Sequence, residues 1–186
     1  MMTSWDRPLL RCRHCGAEPA LEAEQHSLIS LDILDEMGQG RSLQEALDAW
    51  TRPEIMQDGY AWTCPAETCL STEAPTTSHT IFAAAPVLGL HLKRWSRGQR
   101  REVIQHIVEP PRNLRFCDTD YVLRSMILHS GSSAIAGHYT ASMYHRTEDG
   151  PNWWHYDDPV RRAVRAEDMS GTLVWKAYVC FYEQRL

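Results

Sequence analysis

The chain has 186 residues, 43% of them apolar, and 24 acidic against 19 basic side chains give a formal net charge of −5. That is the length of one ordinary domain, able to bury roughly 70% of its unfolded surface without staples, and no apolar run approaches the ~20 residues that cross a bilayer. The acidic balance argues against nucleic acid as a partner, and the basic-then-apolar layout of a secretion signal is missing, so an intracellular, reducing compartment (cytoplasm or nucleus) is expected.

Residues 1–10 carry little pattern and are expected to be a leader. Cys12-Arg-His-Cys15, closed by Gly16, suits a knuckle turn. From His26 to Leu34 the alternation of Ile29, Leu31 and Ile33 predicts a strand. Met37-Gly-Gln-Gly40 breaks it, and Ser42-Leu-Gln-Glu45 reads as a capping box. The helix it opens has an apolar stripe of Leu43, Ala46, Leu47 and Trp50 and stops before Pro53. Asp58-Gly59 is a turn signal, after which Tyr60, Trp62 and Cys64 alternate on a strand. Residues 71–78 are polar and predict a loop.

Strands are then expected over 79–82, 87–95, 103–108, 121–129, 138–145, 153–156 and 173–182. Turn signals at Arg97-Gly98, Pro110-Pro111, Ser130-Gly131 and Asp149-Gly150-Pro151 separate them. The reading is an α+β chain: a cysteine-bearing part with one helix over 11–80, then an antiparallel palm of about six strands over 81–186.

Six cysteines are present, and in a reducing compartment thiols bind metal, do chemistry or fill a core. Four form two pairs, Cys12/Cys15 and Cys64/Cys69. Thiolate pairs presented on turns suit one tetrahedral Zn²⁺ at ~2.3 Å, and two pairs complete a closed, structural Cys₄ site. The second pair has four intervening residues rather than the favoured two, so His14 could replace a sulfur. The competing reading is four unrelated thiols.

Gly131 to Ala136 reads as a flexible loop delivering Gly137-His138-Tyr139 to the start of an apolar strand. Further on, Trp153-Trp-His-Tyr-Asp157-Asp158 places two carboxylates after a short aromatic strand. A hairpin between these strands would bring His138 and Asp157 together, and a carboxylate on one imidazole nitrogen leaves the other as a base. The same residues also fit a His capping a strand and an Asp pair opening a turn. The histidines make no HExxH pattern.

Taken in order, these stretches resemble the ubiquitin-specific protease (USP) family of cysteine deubiquitinases, in the C-terminal half of its catalytic domain. The cysteine pairs look like its zinc-ribbon fingers. Pro86-Val-Leu-Gly-Leu-His-Leu-Lys93-Arg94-Trp95 looks like its Pro-x-Leu-x-x-x-Leu-Lys-Arg-Phe strand. Tyr121 to Gly131 with Gly137-His138-Tyr139 looks like the segment bearing the catalytic His, and Trp153-x-x-Tyr156-Asp157-Asp158 the one bearing the third triad residue. Ala177 to Glu183 looks like the closing strand.

The resemblance implies a partial papain-like fold of fingers and palm without the thumb. His138 would be the general base, Asp157 its orienter and Asp158 a neighbour able to share that role. Gly137, Tyr139 and His129 would border the ubiquitin tail, and Cys12, Cys15, Cys64 and Cys69 would hold zinc. Ubiquitin and ubiquitinated proteins would be the partners. Nothing in the chain resembles the family's Gly-Asn-Thr-Cys-Tyr nucleophile box, so the thiol is expected outside it, in a separate N-terminal half, and the chain is expected to be inactive alone. A nucleophile-less ubiquitin-binding protein is the alternative, and a zinc-stabilised domain with no ubiquitin role is a third.

Overall fold

The computed structural model describes residues 4–56, 61–95, 103–133, 136–147, 150–165 and 176–185. These form two sheets and one helix. The smaller sheet runs β2 (Glu24–His26), β1 (Ser4–Arg11), β5 (Thr76–Ala83), β4 (Glu54–Ile55), all antiparallel. The larger has the order β11 (Val160–Val164), β10 (Gly150–Asp157), β9 (Ala136–Thr147), β8 (Thr119–Ser133), β12 (Ala177–Gln184), β6 (Val87–Lys93), β3 (Ile29–Asp32). Off this path, β7 (Asn113–Phe116) pairs with β8.

The helix α1 (Leu43–Thr51) starts where the capping box puts it. Ser42 Oγ accepts the Glu45 N–H at 3.2 Å while Glu45 accepts the Ser42 N–H at 2.8 Å. Its stripe, Leu43, Ala46 and Leu47, is buried in one core with Ile29, Leu31, Leu88, Leu90, Leu92 and Tyr182. Buried polar groups tie the large sheet to its connections. Arg94, 5% exposed, donates to the carbonyls of Ala177 at 2.6 Å and His106 at 2.8 Å. Tyr121 and Tyr182 donate their hydroxyl hydrogens to the carbonyls of Ala85 and Pro111, each at 2.9 Å.

Several expectations are corrected. The leader expected over 1–10 contains β1, which pairs with both β2 and β5. Alternation does not reveal it because its buried side chains include polar Ser4 and Asp6. Pro8 is tolerated because β2 reaches only as far as Asp6, leaving β1 an edge on that side beyond it. Trp62 and Cys64 lie in irregular backbone, not on a strand. Residues 103–108 make one bridge, Trp95 to Val103, and no ladder. The loop of 71–78 gives way to β5 at Thr76.

Ser130-Gly131 is no turn, since β8 runs on to Ser133 with a register shift after Ser130. A Cβ at Gly131 would lie 2.7 Å from the Ala136 carbonyl oxygen, so glycine lets the hairpin close. The palm is larger than expected and mixed, because β3 joins β6 in parallel. The unforeseen β7 (Asn-Leu-Arg-Phe) and β11 (Val-Arg-Arg-Ala-Val) carry arginines, and charged side chains of this kind suit the edges of sheets. Asp58, Gly59, Tyr60, Arg97, Gly98, Asp149 and the start of the 173–182 strand lie outside the described residues. Among the described residues no helix is long and apolar enough to cross a membrane.

Ser42→Ala should lower the urea-unfolding free energy by about 1 kcal/mol, the usual cost of a lost N-cap. An unchanged denaturation midpoint would show that tertiary packing alone sets the start of α1.

Candidate active site and metal centre

The meeting of His138 and Asp157 follows from register. On β9, His138 stands opposite Ser130 of β8. On the other side, Tyr156 of β10 stands opposite Ala141. Continuing that register by one residue sets Asp157 beside Thr140, two positions from His138 and on the same face of the sheet. The β10–β11 hairpin turns at Asp158-Pro159, with Asp157 paired to Val160 and Asp158 at φ 49°.

His138 Nε2–H donates to Asp157 Oδ1 at 2.5 Å, with both side chains about half exposed. The bond to Asp157 and its charge, with Asp158 adding a smaller attraction, raise the His138 pKa above the ordinary imidazole value. Reciprocally, the bond to His138 holds the Asp157 carboxyl below its usual range. Asp157 is therefore the carboxylate bonded to the imidazole, and Asp158 a charged neighbour. With Nε2 engaged, Nδ1 is the nitrogen left to accept a proton. Beneath the pair, on the same face, buried Ser142 and His155 are bonded at 3.1 Å, Oγ to Nδ1. Sequence reading missed these two, although His155 stands two residues before Asp157.

His129, Gly137 and Tyr139 are brought together, but on the opposite face from His138. His129 is paired with Tyr139 and buried among Trp95, Tyr139 and Tyr178. A Cβ on Gly137 would fall 2.0 Å from His129 Nε2, so glycine is needed where this ring passes the strand carrying His138.

None of the six thiols comes to His138. Cys117 lies in the β7–β8 turn, at the far end of β8 from Ser130; eleven residues of strand separate Thr119 from Ser130, ~36 Å. Burial, with Asp118 nearby, raises its pKa. Cys180 is fully buried opposite Met126, and burial pushes its thiol up to about 12 against the pull of Arg94. The other four belong to the metal centre.

There the sulfurs of Cys12, Cys15, Cys64 and Cys69 all lie within 4.8 Å of one another. Cys12 is 3.9 Å from Cys69 and Cys15 is 3.6 Å from Cys64. A tetrahedron with ~2.3 Å zinc–sulfur bonds has an edge of ~3.8 Å, so these residues fit a Cys₄ zinc site. His14 is not among them. The first pair sits in a knuckle closed by Gly16 at φ 76°, whose N–H donates to the Cys12 carbonyl. The wider second pair is drawn in by a turn in which the Cys69 and Leu70 N–H groups both donate to the Ala66 carbonyl.

The Cys15 N–H, with that of His14, lowers the Cys12 thiol to about 6. The Ala66 N–H favours the Cys64 thiolate, but burial and the neighbouring sulfurs outweigh it and push that thiol up to about 12. A dication supplies the charge that lets all four ionise together.

The ubiquitin carboxyl-terminal hydrolase family profile matches residues 7–182. The chain belongs to this family. Within it, the motifs and the partial α+β fold are of the ubiquitin-specific protease type, and the four cysteines form the Cys₄ site for zinc that the motifs imply. Human ubiquitin carboxyl-terminal hydrolase 17-like protein 15 is 28% identical over 188 residues, covering 96% of this chain and 32% of the relative. The human 17-like protein 6 is 27% identical, covering 96% of this chain and 44% of the relative. The chain thus spans a third to under half of the length of these relatives. Among solved structures, Ubp8 of the SAGA DUB module bound to monoubiquitin aligns over all of this chain and 41% of its own, with a TM-score of 0.81 and 23% identity. In the yeast module carrying a mutant Sgf73 the TM-score is 0.82 at 22% identity.

Two outcomes follow for the metal centre and the His138–Asp157 pair. Cys64→Ser should release the thiolate-bound zinc and uncouple melting of the small sheet from the large one, because structural zinc contributes on the order of 10 kcal/mol to such sites; zinc content and calorimetry would show it. Asp157→Asn should lower the His138 pKa, followed by NMR titration of the imidazole. The wild-type ion pair is present below the ordinary imidazole pKa and is lost as pH rises through the raised one. An unchanged titration would mean that Asp157 does not orient the ring.

Proposed function

We propose that this chain is the base-bearing part of a thiol protease that hydrolyses the bond after the C-terminal Gly of ubiquitin, its nucleophile lying outside these 186 residues. The observation that supports this is the His138–Asp157 pair, half exposed, with Nδ1 unbonded among the described residues and none of the six thiols, all of them described, within reach. Supplied with a cysteine, Nδ1 takes the thiol proton and the thiolate attacks the Gly carbonyl. The amine leaves with a proton returned from the imidazolium, and water hydrolyses the acyl-thioester. Asp157 holds the ring in the tautomer this requires.

In this reading the Gly-Gly tail passes along the β9 backbone at Gly137, with His129 and Tyr139 packed behind that strand on the reverse face. The fingers and palm grip the globular part of ubiquitin, which supplies affinity remote from the chemistry. Solved relatives bound to monoubiquitin and to ubiquitin aldehyde support ubiquitin as the partner. The same distribution of thiols favours a second reading, ubiquitin binding without hydrolysis.

The test is hydrolysis of ubiquitin carrying a C-terminal fluorogenic amide. The chain alone should bind ubiquitin and show no turnover. Adding a thiol-bearing segment from a relative should restore turnover, and His138→Ala should abolish the gain. Binding with no gain would select the second reading. Turnover by the chain alone, lost on thiol alkylation, would overturn the placement of the nucleophile.

A further inference from the structure

Away from the active site, the small sheet holds a second cluster of metal-binding groups. Asp6 on β1 is fully buried, its Oδ1 2.9 Å from His26 Nε2 and its Oδ2 in direct contact with His79 Nδ1. The register accounts for this. Asp6 stands opposite Glu24, two residues from His26 on β2, and opposite Ile81, two residues from His79 on β5, so both imidazoles flank the carboxylate on one face. Trp50 of α1 stacks on His79 at 4.1 Å and 9° and meets His26 edge-on at 5.7 Å, which fixes both rings.

We propose that Asp6, His26 and His79 bind a divalent cation of the Zn²⁺ or Co²⁺ class, making a second metal site in this chain. Two imidazoles and one carboxylate are a ligand set of that class. Their donor atoms lie within 4.8 Å of one another, close enough for one ion to reach all three at ~2.0–2.2 Å. Water would complete the coordination, and the exposed Glu24 carboxylate, 3.9 Å from His26 Nε2, adds negative charge at the mouth of the site. The His26 and His79 side chains are 22% and 27% exposed, which leaves the ion a way in.

The buried carboxylate supplies the driving force. Imidazole nitrogens are the partners of its two oxygens, and a dication bound among them would supply the opposite charge that a carboxylate withdrawn from water calls for. Binding takes the lone pairs of His26 Nε2 and His79 Nδ1, and the protons held there move to His26 Nδ1 and His79 Nε2. The ion would join β2, β1 and β5 at one end of β1, six residues or ~20 Å from Cys12, which anchors the other.

The test is zinc stoichiometry of the full chain after dialysis against a weak chelator, with a parallel Co²⁺ spectrum. Two equivalents are expected. Cys64→Ser should retain one and lose the thiolate-to-cobalt charge-transfer band. Asp6→Asn and, independently, His26→Gln should each retain one and keep that band, which shows the fingers still folded. One equivalent in the wild type, or two that survive both Asp6→Asn and His26→Gln, would overturn the second site, and a protonated imidazole beside Asp6 would then account for the cluster.

Discussion

The site depends on the register of three consecutive strands. β8, β9 and β10 are long, adjacent and antiparallel, and their pairing alone decides that His138 and Asp157 share a face. Because side chains alternate with a period of two, a slip of one residue would turn His138 to the side of Tyr139 and part it from its carboxylate. Several features hold the register. Met126 and Leu128 are buried in the core, the Ser142–His155 bond crosses from β9 to β10, and Gly137 leaves room for His129 on the reverse side. Packing on one face thus positions chemistry on it, while the other face is fitted around a single missing side chain.

Charged and polarisable groups do much of the fastening elsewhere. Arg94 reaches two carbonyls from inside the large sheet, Asp6 gathers two histidines inside the small one, and four sulfurs close the far end of β1. Such groups are costly to bury unless each finds a partner, so they tolerate few alternative arrangements where apolar contacts would tolerate many. The Lys93-Arg94 dipeptide shows the contrast: Lys93 meets Asp32 at the surface, and its neighbour is buried among backbone oxygens.

What could be read from the sequence divides along the same line. The helix, most of the palm strands, the cysteine quartet and the His138–Asp157 pairing were legible because each has a local signature: a capping box, an alternation, a spacing, a hairpin. β1 was not, since its buried positions are polar and its partners lie about 20 and 70 residues away. The same holds for Asp6, His26 and His79, which no spacing rule connects. β3 was expected as a strand, but its parallel docking on β6, 61 residues later, has no local trace. The opposite facing of His129 and His138 was implicit in alternation once β8 and β9 were known to pair without a broad loop between them.

The order of the large sheet has a consequence for how the chain assembles. β12, the latest of the described strands, lies between β8 and β6 and hydrogen-bonds to both. Until residues 177–184 leave the ribosome, the β8–β11 meander and the β3–β6 pair are separate pieces, each presenting an unsatisfied edge to any passing strand. Synthesis up to residue 184 is therefore a period of exposure that ends only when the keystone is inserted, and a nascent chain of this architecture has reason to be shielded by chaperones until then.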